Sequence, residues 1–292
     1  MLIHLDDFPL PSAERVAILR MLSALNRPLD LEGLWWLMDQ AWIAHGCSTQ
    51  PLDQGCLDAF YRDPVWTLNG IFIEQDDQSM LHRHAFAGVL ASLGVKQVLD
   101  VGGGFGTLAR QLDDQSAEVR IDILEPYPTS CMLSLCQEHP GIRFVDCASP
   151  GSYDALICTD VLEHIQDPLK LLVGMIEAVK LDGHLLIANC FEPVILCHLP
   201  ATFHLKYSFD HFCEVLGLQR VDRFDLPYGA LYRKVSIANL TEIKLRRLER
   251  WSRRLYPWRR FCEHWLLPFG VRLKRASRDP LYYPKKLLKQ LH

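Results

Sequence analysis

The sequence lacks the features that mark several classes of protein. Of its ten cysteines no two form a CxxC pair, and no Cys/His group has zinc-finger spacing. No run of about 18 apolar residues occurs, so we expect no membrane-spanning helix. The opening MLIHLDDFPLPSAER lacks a basic stretch ahead of an apolar one, so we expect no secretion signal. These absences favour the reducing cytoplasm, where thiols stay free.

The length and composition are those of a globular chain. With 292 residues, 49% hydrophobic and 23% charged, the sequence excludes global disorder, collagen and low-complexity repeats. A chain of this length can bury a core without disulfide or metal cross-links and forms one large domain or two small ones.

Charge is distributed unevenly along the chain. The total of −4 combines −7 over residues 1–95, −8 over 96–240 and +11 over 241–292. This asymmetry predicts an anionic partner for the basic end. We therefore divide the chain into a helical N-terminal cap (1–79), an α/β domain (80–240) and a basic, aromatic-rich C-terminal extension (241–292).

Apolar periodicity predicts mainly helices in the first 95 residues and strands alternating with helices afterwards. Early helices are predicted at 12–26, 30–46, 54–62 and 79–93, with Ser12 and Asp30 as caps and Val16, Leu19, Leu22 and Leu25 as the apolar face of the first. Strands are predicted at 97–101, 119–124, 142–145, 153–158, 184–189, 219–225 and 230–237. This alternation is typical of a doubly wound, mostly parallel α/β sheet, and the last two strands predict one antiparallel strand at an edge.

A glycine-rich turn, DVGGGFG at 100–106, follows the first predicted strand. Glycine permits a sharp turn and a close approach of a ligand to the backbone, and the next helix offers free N–H groups. Dinucleotide enzymes use a similar turn, but the Asp100 carboxylate would repel a pyrophosphate. Glu125 ends the second strand, where it can accept both hydroxyls of a ribose, and Asp146 ends the third, where it can accept from an adenine amino group. These acids predict a site for an adenosine with a cationic tail.

The motifs resemble those of a known family. VLDVGGGFGTLARQL, ILEP, FVDCA, YDALICTDVLEHIQDPLKLL and LDGHLLIAN are similar, in order and spacing, to the class I S-adenosylmethionine-dependent methyltransferases. The DVLEH and LDGHLL runs most resemble the branch that includes the ubiquinone-biosynthesis methyltransferases and other small-molecule enzymes. The resemblance spans roughly residues 80–237. The N-terminal cap and the C-terminal extension have no counterpart among the motifs of this family.

The resemblance implies a seven-stranded, Rossmann-like methyltransferase fold and S-adenosylmethionine as cofactor, released as S-adenosylhomocysteine. It implies that the cofactor-binding residues are Asp100, Gly102, Gly103 and Gly104 at the methionine end, Glu125 at the ribose, Asp146 and Cys147 at the adenine, and Asp160 between the methionine end and the substrate. The chain departs from the family pattern at Asp182-Gly183-His184, where Pro-Gly-Gly is usual. It also lacks an Asn-Pro-Pro-aromatic motif after the fourth strand, which argues against N-methylation of adenine or glutamine.

Methyl transfer needs alignment and exclusion of water, and it needs a general base only when the nucleophile arrives protonated. His164 is the first candidate for that base, and Asp160 and Glu163 complete the candidate catalytic set. The alternative is that Glu163 and His164 only hold their loop. We predict helix-surface positions for His82 and His84, with a cofactor-lid role as the alternative. For His198, His204 and His211 we predict ordinary packing or surface positions, with lining of the substrate pocket or metal binding as the alternative. Cys190 and Cys197 are expected to act as small hydrophobes, and no metal centre is predicted.

In the extension, arginines and lysines are interleaved with Trp251, Tyr256, Trp258, Trp265, Tyr282 and Tyr283. This composition suits an anionic membrane surface, an anionic substrate or, as the third choice among partners, nucleic acid. The alternative is a helix that packs its aromatics on the acidic body.

The sequence predicts methyl transfer to a small-molecule or lipid-like acceptor, with oxygen as the favoured atom. Three alternatives stay open: another reaction with the same cofactor, methylation of RNA or protein through the basic extension, and a cofactor-binding scaffold without activity. A cytoplasmic protein is expected, with a peripheral position at the inner membrane face left open. The acceptor and the oligomeric state are not specified by the sequence.

Overall fold

The computed structural model describes residues 1–116, 118–222, 224, 226–237 and 241–266. The chain forms two compact units, Met1–Asn239 and Leu240–His292. The first unit contains the sheet and the helices around it.

The N-terminal helices are built mainly on aspartate caps. They are α1 Ser12–Ala24, α2 Leu31–Ala44, α3 Gln54–Tyr61, α4 Pro64–Gln75 and α5 Asp77–Ser92. Side chains of Asp30, Asp53, Asp63 and Asp76 each accept a backbone N–H of the first turn of α2 to α5. The predicted Asp30 cap is confirmed. The predicted Ser12 cap is wrong, because Pro11 occupies the cap position and makes no side-chain bond.

The prediction for the apolar face of α1 was only partly right. Val16 and Leu19 are exposed, whereas Ile18 is fully buried. Helical spacing alone is compatible with burial of either the side that contains Val16 and Leu19 or the side that contains Ile18. Contact with the neighbouring helices buries the side that contains Ile18. The predicted boundary between residues 79 and 80 falls inside α5, and the predicted division of the chain stays a prediction.

Seven strands form one sheet with the order β3-β2-β1-β4-β5-β7-β6. They are β1 Gln97–Val101, β2 Arg120–Leu124, β3 Ile142–Phe144, β4 Tyr153–Thr159, β5 Val179–Ala188, β6 Leu218–Arg220 and β7 Ala230–Lys234. The accompanying helices are α6 Thr107–Gln115, α7 Ser130–Cys136, α8 Pro168–Ala178 and α9 Phe209–Val215. The first five strands are parallel, which confirms the predicted fold class. The antiparallel strand is β7, which pairs with β5 on one side and with β6 on the other. The prediction that the antiparallel strand lies at an edge is therefore wrong, because β6 forms that edge.

The topology creates a crevice beside β1. This strand pairs with β2 on one side and with β4 on the other, so the strand order reverses there. In open α/β sheets, ligands bind outside the carboxyl ends of the strands at such a reversal. Chain segments that leave β1, β2 and β4 therefore define the candidate site.

The helices α1 to α4 pack against segments that leave these strands. Their core includes Ile18, Leu68 and Ile71, and it also contains Phe105 after β1 and Cys197 after β5. A Cβ added at Gly70 of α4 would lie 2.3 Å from the Phe105 ring, so the helix and the turn approach too closely for any side chain. The N-terminal helices are thereby placed at the carboxyl end of the sheet.

The second unit begins with α10, Glu242–Phe261, which continues into a π-helical turn, Cys262–Leu266. Among the described residues, no helix is both long and apolar enough to cross a bilayer. The predicted roles of Tyr282 and Tyr283 fall outside the described residues.

Candidate active site

The glycine turn and Asp100 are shaped to fit each other. Asp100 lies in β1 and is 2% exposed. Gly102 and Gly104 have φ values of +70° and +50°, a region that L residues rarely adopt. A Cβ at Gly103 would lie 2.6 Å from Asp100 Oδ2. The turn therefore has room for the buried carboxylate only because Gly103 has no side chain.

Glu125 joins the end of β2 to this turn. Its carboxylate accepts the backbone N–H of Gly104 at 3.2 Å and that of Tyr127 at 3.1 Å. Burial raises the pKa of Glu125, and the two N–H groups oppose that rise. The structure thus places Asp100, the glycines and Glu125 together, as the sequence predicts.

Asp146 and Cys147 lie beyond the end of β3, and both are exposed. The described contacts do not tie either residue to the turn. Their assignment to an adenine stays a prediction.

The electrostatics of the crevice favour a positively charged ligand. Burial, and then the charge of Glu125, raise the pKa of Asp100 to about 7. Burial also raises the pKa of Asp160, and Arg83 on α5 opposes the rise at both carboxyls. Two carboxylates that repel each other in a buried place are stabilised by a nearby cation. The sequence analysis missed Arg83, although it is one of only five Lys/Arg among residues 1–95.

Asp160 follows β4 in a left-handed conformation, with φ at +57°. The Tyr228 hydroxyl donates to Asp160 Oδ2 at 3.0 Å. The Tyr228 ring packs beside His82 of α5, with ring centroids 5.2 Å apart, and beside Phe86 at 5.3 Å. This contact half-buries His82 rather than leaving it free on the helix surface. The loop before β7, which carries Tyr228, gave no sequence signal of its own.

Glu163 is completely buried in the short 3₁₀ helix Leu162–His164. The backbone N–H of Cys190 donates to its Oε1 at 2.8 Å. Burial, and then the charge of Asp160, raise its pKa to about 8. The carboxyl is therefore largely protonated at neutral pH and can titrate near pH 8.

Two histidines beside Glu163 are held in the same tautomer. His164 Nδ1 lies 3.2 Å from the Cys197 carbonyl oxygen, and His198 Nδ1 lies 2.7 Å from that of Glu192. Because a carbonyl only accepts, both rings carry their proton on Nδ1 and present Nε2 as an acceptor. Burial lowers the pKa of both rings, that of His164 to about 3, so both are neutral.

One donor atom from each of Glu163, His164 and His198 lies within 4.8 Å of the other two. We call this set the Glu-His-His cluster. Two imidazoles whose other nitrogens donate to carbonyls, together with a carboxylate, can hold a divalent cation or share a proton. His198 was predicted to pack ordinarily, but its ring centroid lies 4.9 Å from that of His164. No sequence signal indicated this contact, because it forms only where the segment after β5 folds back over the 3₁₀ helix, with the Leu199 N–H donating to the Glu163 carbonyl at 2.9 Å.

The other residues named beside the site have simpler surroundings. His204 and Cys197 are buried, Cys190 is half-buried, and His84 and His211 are exposed. The absence of a metal centre stays a prediction.

Aromatic residues of the N-terminal helices surround His164. The ring centroids of Tyr61 and Trp66 lie 6.4 and 5.9 Å from that of His164. Tyr61 stacks on Tyr127 at 5.6 Å, and the Tyr127 hydroxyl donates to Asp58 at 2.7 Å. Such a wall can enclose an apolar or aromatic molecule beside the cluster. Neither Tyr61 nor Trp66 could be singled out from the sequence, because only the fold brings α3 and α4 to the strand ends.

Comparison with known proteins gives the following matches. A family model described as a methyltransferase domain matches residues 72–243. A ubiquinone biosynthesis O-methyltransferase of Neisseria meningitidis is 26% identical over 222 residues, 66% of this chain and 93% of that protein. One of Burkholderia thailandensis is 24% identical over 179 residues, 52% of this chain and 77% of that protein. The crystal structure of the B. thailandensis 1,6-didemethyltoxoflavin N1-methyltransferase has a TM-score of 0.45 and 18% identity, covering 58% of this chain and 84% of that one.

Proposed function

The chain belongs to the methyltransferase-domain family, the class that uses S-adenosylmethionine, and we propose that it methylates a hydroxyl oxygen of a small, apolar or lipid-like acceptor. The Glu-His-His cluster is the observation that carries this proposal. It provides neutral acceptor nitrogens beside an aromatic wall, which suits a phenolic or similar hydroxyl. The names of the two O-methyltransferase relatives support oxygen as the methylated atom.

The cofactor site proposed here is the crevice at the glycine turn. Asp100 and Asp160 would face the ammonium and sulfonium charges, and Arg83 would face the carboxylate of the methionine tail. Glu125 would accept the ribose hydroxyls, and Asp146 with the Cys147 amide would bind the adenine. When bound, S-adenosylmethionine supplies a methyl group that is already activated for transfer. The task left to these residues is to align that group and exclude water.

The cluster would take up the proton that the hydroxyl releases. In the transfer, the acceptor oxygen would form a bond to the methyl carbon, and the bond between that carbon and sulfur would break with its electron pair left on sulfur. His164 is the least buried member of the cluster, so its Nε2 is the atom that the hydroxyl would reach. With a pKa of about 3, the His164 imidazole cannot keep the proton. Glu163 can receive it in the fraction of molecules whose Glu163 carboxyl is ionised, and this fraction grows as the pH approaches the Glu163 pKa of about 8.

A direct test uses paired acceptors that differ in one atom. Alkylated phenols and the matching anilines are incubated with the purified protein and S-adenosylmethionine, and products are identified by mass spectrometry. We expect O-methylated phenols and an equal amount of S-adenosylhomocysteine, and no product with Glu163→Gln. Methylation of the anilines, of RNA or of added protein in place of the phenols would overturn the assignment. Cofactor binding without transfer to any acceptor would indicate a scaffold.

A further inference from the structure

The exposed side of α10 carries a continuous row of large apolar residues. Trp251, Trp258 and Trp265 are 52%, 61% and 68% exposed. Trp251 and Trp258 are seven residues apart, close to two α-helical turns, so they share one side of α10 with Leu255 and Phe261. Trp265 follows in the π-helical turn that continues α10. We call these five residues the aromatic stripe. Contiguous exposed apolar patches on a folded protein commonly mark a surface that contacts a partner.

The opposite side of the same helix is buried. Leu245, Glu249 and Ser252 lie at intervals of four and three residues and are each less than 9% exposed. Glu249 accepts hydrogen bonds from Arg246 and Arg253. The stripe and these buried residues therefore lie on opposite sides of the helix.

Positive charge flanks the stripe. Exposed Arg247, Arg250 and Arg254 lie along it, and the Arg254 guanidinium stands 5.6 Å from the centroid of the Trp251 ring. The helix as a whole contains eight Lys/Arg and two Glu. An apolar surface beside this charge is complementary to a surface with acyl chains under anionic groups.

We propose that α10 docks on an anionic lipid bilayer, lying along its surface with the stripe at the boundary between headgroups and acyl chains and the arginines on the phosphates. The side chains favour lipid over nucleic acid. Trp258 and Phe261 stack on each other, with centroids 5.7 Å apart and an angle of 25°, so one face of each ring is already covered. Single-stranded nucleic acid needs free ring faces, and Leu255 has none to offer. The proposal does not depend on the reaction or on the acceptor.

The test is flotation of the full-length protein with vesicles. One set contains phosphatidylcholine alone, and the other contains phosphatidylcholine with a third of phosphatidylglycerol. We expect binding to the second set only. The double variants Trp258→Ser/Phe261→Ser and Arg250→Glu/Arg254→Glu should each weaken it by about tenfold or more. Trp36→Ser, which removes a tryptophan of the first unit that is 45% exposed, is the matched control and should bind like the parent.

The outcomes separate lipid from the other occupants of the stripe. Circular dichroism of each variant checks folding, which we expect to be retained because all four altered side chains are largely exposed. Equal flotation with both vesicle sets, no flotation, or an equal loss in Trp36→Ser would overturn the proposal. Tight, steeply salt-dependent binding of single-stranded RNA in place of vesicle binding would assign the surface to nucleic acid. A dimer that the Trp258→Ser/Phe261→Ser variant dissociates, with flotation unchanged, would assign it to a second copy.

Discussion

Replacing Glu163 by Gln should make the protein more stable at neutral pH and remove its activity. Glu163 has an ordinary pKa of 4.5 and, in the folded protein, a pKa of about 8. Between these values the unfolded chain loses the Glu163 proton and the folded chain keeps it, so ionisation favours unfolding as the pH rises. The effect grows by about 1.4 kcal/mol per pH unit and reaches roughly 3 kcal/mol at pH 7.

Glutamine does not ionise, so Glu163→Gln avoids this loss. Its carbonyl oxygen can still accept the Cys190 N–H, and the Asn189 amide, which reaches the other carboxylate oxygen at 3.3 Å, can rotate to meet the new NH₂ group. For a domain of this size, roughly 3 kcal/mol corresponds to about 6–12 °C in melting temperature.

Thermal unfolding from pH 4 to pH 9 measures this gain. We expect the variant and the parent to melt together below about pH 4.5 and to diverge up to about pH 8. Glu118→Gln is the control, because Glu118 is exposed, pairs with Lys96 and has a lowered pKa. A Glu163→Gln protein that is less stable at pH 7, or equally stabilised at pH 4 and pH 8, would refute the assigned titration of Glu163.

Three further predictions concern the crevice. Gly103→Ala should weaken S-adenosylmethionine binding, because its Cβ would displace the Asp100 carboxylate 2.6 Å away. Gly174→Ala, in α8 with open space around its Cβ, should bind like the parent, and equal affinities of the two variants in calorimetry would contradict this. Cofactor binding at pH 7 should release protons, because the cationic cofactor lowers the pKa of Asp100 from about 7. The affinity should therefore rise from pH 6 to pH 8. Binding heats measured in two buffers of different ionisation enthalpy test this, and proton uptake would contradict it. Arg83→Gln should move that pH dependence upward, because Arg83 lowers the pKa of Asp100; a downward shift would count against the electrostatic account.

The fold was readable from the sequence because its signals are local. Both boundaries of the strand over 97–101 were predicted correctly, because a short apolar run between turn residues has few alternative structures. The α4 helix was missed although Asp63 caps it and Pro64 occupies its first turn, because α3 ends only two residues earlier and the pair reads as one irregular segment. The place of β7 was missed because strand order within a sheet depends on pairing between distant segments.

The cofactor side of the site was also largely readable, and the acceptor side was not. Asp100 and Glu125 stand at strand ends, whose meeting point follows from the topology alone. Tyr61 and His198 meet at His164 on the acceptor side, although they come from α3 and from the loop after β5, far apart in sequence. Arg83 of α5 was the residue missed on the cofactor side. Their positions depend on tertiary packing, which leaves no fixed spacing in the sequence.

Calorimetric titration with S-adenosylmethionine tests the central claim, that the acids at the strand ends form the cofactor site, most directly. The Glu125 carboxylate would bind two ribose hydroxyls, and each charge-assisted hydrogen bond contributes about 1.5–3 kcal/mol. We therefore expect micromolar binding of S-adenosylmethionine and S-adenosylhomocysteine by the parent, a loss of about 100-fold or more in Glu125→Ala, and no change in Glu118→Ala. Equal affinity of the parent and Glu125→Ala, or no binding of either ligand at millimolar concentration, would contradict the account.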